Sequence, residues 1–197
     1  MTVRGRRSDD TADASPGLQS PLATIGFMGT AFELILRYLV GLRTGRGATG
    51  AVQIAEVEVD TLLGHVRVTR FASGLAVGRI AVPQLARSQA EGSIIQGIGY
   101  ALYENRQHDP HSGQILTAGL EDYRIPGIAD TPQMEVYFDE AGFDHVGGGG
   151  VGLGKIATMP VAAAVANAIH SAIGVRPYEL PVRPDRLISA LKTRGTA

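Results

Sequence analysis

An α+β fold is what this sequence predicts, and three observations carry the prediction. Residues 52–71 alternate apolar and polar positions on either side of a turn, as a hairpin does. Residues 85–105 and 160–174 instead repeat their apolar residues at helical spacing. These strand-like and helical stretches follow one another without a regular β-α-β repeat, which sets the class as helices mixed with antiparallel hairpins.

The elements can be justified in order. Residues 1–20 are rich in Ser, Asp, Thr, Gly and Pro and are expected to form a mobile arm. The run from Thr30, with Phe32, Leu34, Ile35 and Leu39, fits an amphipathic or buried helix. Its wider apolar window, Pro21 to Val40, carries Glu33 and Arg37 and is interrupted by Gly26 and Gly29, which argues against a membrane span. Four glycines between Gly41 and Gly50 read as a linker, so the chain divides into residues 1–50 and an ordered region, 51–197.

In that region Val52, Ile54, Val57 and Val59 form one strand and Val66, Val68 and Phe71 the next, with Asp60 to Gly64 as the turn. A helix over Leu85–Asn105 follows, with Ile94, Ile95, Ile98, Ala101 and Leu102 on its buried side. It contains Gly92, Gly97 and Gly99, each costing about 1 kcal/mol relative to alanine. Close approach of another backbone or of a ligand would compensate. His108 to Gly113 is a turn, and Met134, Val136 and Phe138 mark a half-buried strand. Pro160 opens a helix with Val161, Val165, Ile169 and Ile173 on one side, stopped by Gly174, and Pro184 opens the last.

Composition narrows the function. The 18 basic and 19 acidic residues leave a net charge of −1, without the field that draws in nucleic acid or an anionic membrane. No cysteine is present, which excludes disulfides, thiolate-held zinc and iron–sulfur clusters within this chain. Arg6-Arg7 is followed by Ser8, Asp9, Asp10 and Thr11 where an export signal needs apolar residues, so a cytoplasmic location is expected.

The glycine run GGGGVGLGKIATMP, Gly147 to Pro160, almost spells a phosphate-binding loop, because Gly149, Gly154 and Lys155 fit G-x-x-x-x-G-K. Such a loop also needs a hydroxyl after the lysine and a helix starting there. Ile156 replaces the hydroxyl, and Pro160 would disrupt a helix begun at Lys155. A structural glycine loop is the simpler reading.

Taken together, the segments AEVEVDTLLGHVRVTRF, VGRIAVP, SQAEGSIIQGIGYALYE, GLEDYRIPGIADTPQMEV and the stretch from Gly150 to Leu191 resemble, in order and interval, the C-terminal portion of the molybdopterin-binding large subunit of the xanthine dehydrogenase and aldehyde oxidase family. The resemblance implies hydroxylation of an aldehyde or aromatic N-heterocycle at a molybdenum–pterin cofactor. It also implies electron exit through iron–sulfur and FAD carriers in other domains or subunits, and a remaining part of the large subunit as partner. It makes Gln89 a candidate cofactor contact, with an exposed helix residue as the alternative, and Gly152 and Gly154 candidate cofactor-binding residues.

In the family this loop reads roughly K-G-V-G-E, and its glutamate is the general base. Counting back from A-N-A-I, that glutamate falls on Lys155; matching Gly150-Val151-Gly152 instead, it falls on Leu153. Neither is a carboxylate, and the family's aspartate before V-G is Ala76 here. The resemblance therefore implies a fragment without independent activity. A non-catalytic interaction module or fold remnant, and a phosphate-binding glycine-loop protein, remain as alternatives.

Other groupings read as structural. His108 and His111 lie in a proline-broken turn that does not converge them on a metal. Asp122 and Arg124 in DYRIP suit a local salt bridge or turn.

Overall fold

The computed structural model of the protein describes residues 2–4 and 49–195. Most of the expected arm, the helix from Thr30 and most of the glycine-rich linker lie outside the described residues. Four strands form one sheet in chain order: β1 (Thr2–Arg4), β2 (Gly50–Asp60), β3 (Val66–Ala76) and β4 (Gln133–Asp139). Among the described residues three α-helices accompany it: α1 (Pro83–Leu102), α2 (Val161–Ile173) and α3 (Pro184–Gly195).

The β2–β3 hairpin forms where the alternation requires it, antiparallel from Gly50↔Ala76 to Val59↔Val66, with an irregularity between Glu56 and Val57. Its turn closes through Gly64, whose φ of 69° is the left-handed region open to glycine. The Asp60 carboxylate accepts the backbone N–H groups of Leu62 and Leu63 at 2.9 and 3.0 Å. Those two bonds, Leu63 first, hold the Asp60 carboxyl below the usual carboxylate range. A lowered folded-state pKa contributes stability above the unfolded value that is lost as the pH falls through the folded one. Thermal unfolding of Asp60→Asn between pH 7 and pH 3 should therefore show a weaker acid dependence than the unsubstituted protein.

β4 departs from the expectation of hairpins alone. It runs parallel to β3, from Arg70↔Gln133 to Ala76↔Asp139. A parallel neighbour needs a crossover, and residues 77–132, with α1 inside them, provide it. One β-α-β unit is thus embedded in an otherwise antiparallel sheet, and an Arg70–Glu135 ion pair at 3.2 Å links its strands. At the other edge Thr2–Arg4 pairs antiparallel with Glu58–Asp60, so three residues of the expected arm are a strand.

The main core lies between sheet and helices. Val57 and Val59 of β2, Val68 and Phe71 of β3, Ile94 and Ile98 of α1, and Val161, Val165 and Ile169 of α2 are all buried there. The α2 periodicity behaves as its sequence requires, and Gly174 ends the helix at φ 68°. α1 begins at Pro83, two residues before the expected start, because proline suits the first helical position. Its glycines are explained in part. A Cβ at Gly97 would fall on the Val161 side chain, so this glycine brings α1 against α2. One at Gly99 would collide with Glu104, whereas Gly92 is exposed and faces nothing within 4 Å.

The segment between α1 and β4 is held by aromatic contacts. The Tyr103 hydroxyl donates to Asp130 at 3.0 Å, and burial, aided by that bond, pushes its pKa up to about 12. The Arg124 guanidinium lies 4.5 Å from the Tyr103 ring centroid. Arg124 thus engages an aromatic face, and of the two expected roles for this segment the turn is present, with the Asp122 and Tyr123 N–H groups both donating to the Gly119 carbonyl. Among the described residues no helix is long and apolar enough to cross a membrane.

Candidate cofactor site

The glycine run divides into a structural half and an open half. Gly148 and Gly149 have φ of 80° and 73°. Gly150 pairs with Gly78 so closely that a Cβ would meet the Arg79 carbonyl oxygen. Backbone bonds from Arg79 to Gly149 O (2.8 Å) and from Val151 to Val77 O (2.9 Å) tie this half to the end of β3. Here glycine is required by the chain's own backbone. At Gly152 and Gly154 it is not: neither has a positive φ, both are exposed, and a Cβ at either would meet nothing within 4 Å.

Beneath the loop sits a second apolar cluster of Leu75, Val77, Ala90 and Ala157, against which Val151, Leu153 and Ile156 pack. Leu153 is therefore half-buried and turned to this floor, while Lys155 is exposed and makes no ion pair with the described residues. After Lys155 the chain turns, with Thr158 and Met159 N–H both donating to the Lys155 carbonyl, and α2 starts only at Val161. The helix N-terminus that a phosphate-binding loop sets directly behind its lysine is absent at this position.

Gln89 is exposed in the second turn of α1. Among the described residues its amide nitrogen reaches only the Ser93 hydroxyl, at 3.5 Å. Ser93 is 4% exposed, and its hydroxyl lies 2.7 Å from the Gln89 carbonyl and 3.2 Å from the Gly154 carbonyl. Gln89 and Gly154, distant in sequence, thus meet through one buried serine. On the other flank the Gln53 amide of β2 donates to Ala157 O at 2.7 Å and to the buried Ser73 hydroxyl at 3.1 Å.

Sequence reasoning missed both Ser93 and Gln53. Ser93 carried one signal, a polar residue four after Gln89 on a helix side otherwise filled by Ile94, Gly97 and Ile98. Gln53 carried none, since strand alternation leaves such a residue as an ordinary outward position.

The donor set suits a pterin. The Gln89 amide is barely engaged, and the N–H groups of Gly152, Leu153, Gly154 and Lys155 meet no acceptor among the described residues. The two open glycines leave room for a flat polar group to approach that backbone. No carboxylate occupies Lys155 or Leu153, and Ala76, at the family's aspartate position, is 3% exposed.

The described chain is thus a small mixed sheet backed by helices and carrying an open glycine loop. Residues 43–132 match the family model described as molybdopterin cofactor-binding domain. The chain belongs to the molybdopterin-binding large-subunit family of xanthine dehydrogenase and aldehyde oxidase. It is 35% identical over 145 residues to the aldehyde oxidoreductase molybdenum-binding subunit PaoC of Escherichia coli K12, covering 73% of this chain and 20% of that protein. It is 36% identical over 140 residues to the xanthine dehydrogenase molybdenum-binding subunit of Escherichia coli O157:H7, covering 71% of this chain and 19% of that one. Among solved structures, quinoline 2-oxidoreductase from Pseudomonas putida 86 superposes with a TM-score of 0.66 at 32% identity, over 70% of this chain and 18% of its own. The chain spans about a fifth of the length of the curated relatives it matches.

Proposed function

We propose that this chain forms one wall of a molybdenum–pterin site in a cytoplasmic molybdenum hydroxylase and has no turnover of its own. The observation that carries the reading is the pairing of the weakly engaged Gln89 amide with the open Gly152–Lys155 backbone edge on a single surface. When bound, the molybdenum–pterin group supplies the redox and oxygen-transfer chemistry that oxidises an aldehyde or N-heterocycle. Gln89 orients it by a side-chain hydrogen bond, Gly152 and Gly154 let it approach the backbone, and the loop N–H groups donate to its acceptors. The rest of the large subunit completes the pocket, and iron–sulfur and FAD carriers in other domains or subunits take the electrons.

The loss of turnover follows from proton chemistry. The family's base position holds Lys155 or Leu153: an ammonium has no lone pair to take a proton, and an alkyl group has no basic atom. A second reading, a non-catalytic interaction module, draws on the apolar side chains of Leu120, Tyr178 and Ile128, which stand 77%, 89% and 96% exposed.

Gln89→Ala separates the two. Its side chain is exposed, so folding should be unaffected, but pterin retained by the assembly with the rest of the large subunit should fall about fivefold to tenfold, as for one lost hydrogen bond to a bound group. Equal pterin retention by both proteins would favour the interaction module. Pterin fluorescence after acid release reads the outcome.

A further inference from the structure

We infer that Ser93 is a positioning residue that holds the Gly152–Lys155 loop in register with Gln89, so that the two sides of the site keep a fixed separation. That the loop so held faces the cofactor rests on the function proposed above. The local anchoring itself does not.

Three observations carry the inference. Ser93 is 4% exposed on a helix that otherwise buries Ile94, Gly97 and Ile98 on this side. Alanine would fill the same space with a better helix propensity, so packing alone does not account for the hydroxyl. Second, the hydroxyl has one proton and two carbonyls within reach, Gln89 O at 2.7 Å in its own helix and Gly154 O at 3.2 Å in the loop. The first is the back-bond that any helical serine can make; the second crosses between elements. Third, the loop has few other polar ties on this flank. Its backbone bonds end at Val151 on one side and resume at the Lys155 carbonyl, which accepts from Thr158 and Met159, on the other, and Gln53 grips it only at Ala157. Between those points Leu153 and Ile156 pack on apolar neighbours, contacts that resist lifting but not sliding. The Ser93 proton, shared between the Gln89 and Gly154 carbonyls, supplies the directional constraint.

Hydrophobic contact and the hydroxyl tether make different predictions for Ser93→Ala and Ser93→Thr in the full chain. Alanine keeps the apolar contact and loses the tether, whereas threonine keeps the hydroxyl. Backbone order parameters from ¹⁵N relaxation report this directly. In the Ser93→Ala protein those of Gly152–Lys155 should drop from about 0.85 to below about 0.6, with β2, β3 and α2 unchanged, and Ser93→Thr should restore them. In the assembly with the rest of the large subunit, pterin retained should fall about fivefold with Ser93→Ala and recover with Ser93→Thr.

Unchanged loop order in Ser93→Ala, or a loss of order spread equally over the whole chain, would overturn the tether. A loosened loop that retains pterin as well as the unsubstituted protein would overturn its role at the site. If the unsubstituted assembly itself holds no pterin, the proposed function fails, and the order parameters still decide whether Ser93 fixes the loop.

Discussion

Lys155→Glu is expected to raise the rate of aldehyde oxidation by about 10²- to 10⁴-fold in an assembly completed by the rest of the large subunit, the range that a positioned general base contributes. The substitution introduces a proton acceptor at the position matched by counting back from A-N-A-I. Lys155 is exposed and pairs with no described carboxylate, so the exchange should shift stability by no more than about 0.5 kcal/mol. Leu153→Glu tests the other alignment and should behave in the opposite way. Leu153 packs on the cluster of Leu75, Val77, Ala90 and Ala157, and a carboxylate there loses water without gaining a partner. It is expected to lower the melting temperature and to give no turnover. Steady-state kcat/KM and thermal melting of the two variants separate the alignments. An inactive, well-folded Lys155→Glu assembly that retains its cofactor would remove Lys155 from the base position.

Two glycines of one helix should respond to alanine in opposite directions. At Gly97 the new Cβ would lie on Val161, where α1 and α2 touch, and overpacking of this kind costs about 1–3 kcal/mol. At Gly92 the new Cβ meets nothing within 4 Å, so the helix should gain up to about 1 kcal/mol from propensity alone. Calorimetry should place the Gly97→Ala melting temperature below that of the unsubstituted chain by about 2–10 °C, and Gly92→Ala above it by a few degrees. Gly92 also lies one turn from Gln89 on the exposed side of α1. If the pterin or the rest of the large subunit lies against this stripe, Gly92→Ala stabilises the isolated chain while weakening the assembly.

The legible part of the fold was the part set by local pattern. Alternation about Asp60–Gly64 predicted the hairpin, and the Val161, Val165, Ile169 series between Pro160 and Gly174 predicted α2 nearly to the residue. The parallel pairing of β4 was not legible, because Met134, Val136 and Phe138 alternate identically whichever way the neighbouring strand runs. The site divides along the same line. Gln89, Gly152 and Gly154 were nominated through the order of motifs along the chain, a resemblance that local physics neither requires nor forbids. Ser93 and Gln53 escaped because their partners are carbonyls 61 and 104 residues away, and a carbonyl has no side-chain identity for a sequence to show. The glycine run was ambiguous for a related reason. Backbone need at Gly148 to Gly150 and open space at Gly152 and Gly154 are written with the same letter.

The central claim is that this chain contributes a wall of a molybdenum–pterin site. It is tested most directly by measuring molybdenum and pterin in the chain purified together with the rest of the large subunit, using elemental analysis and acid-released pterin fluorescence. The account predicts close to one molybdenum and one pterin for each copy of the chain in the assembly. An intact assembly holding neither would contradict it.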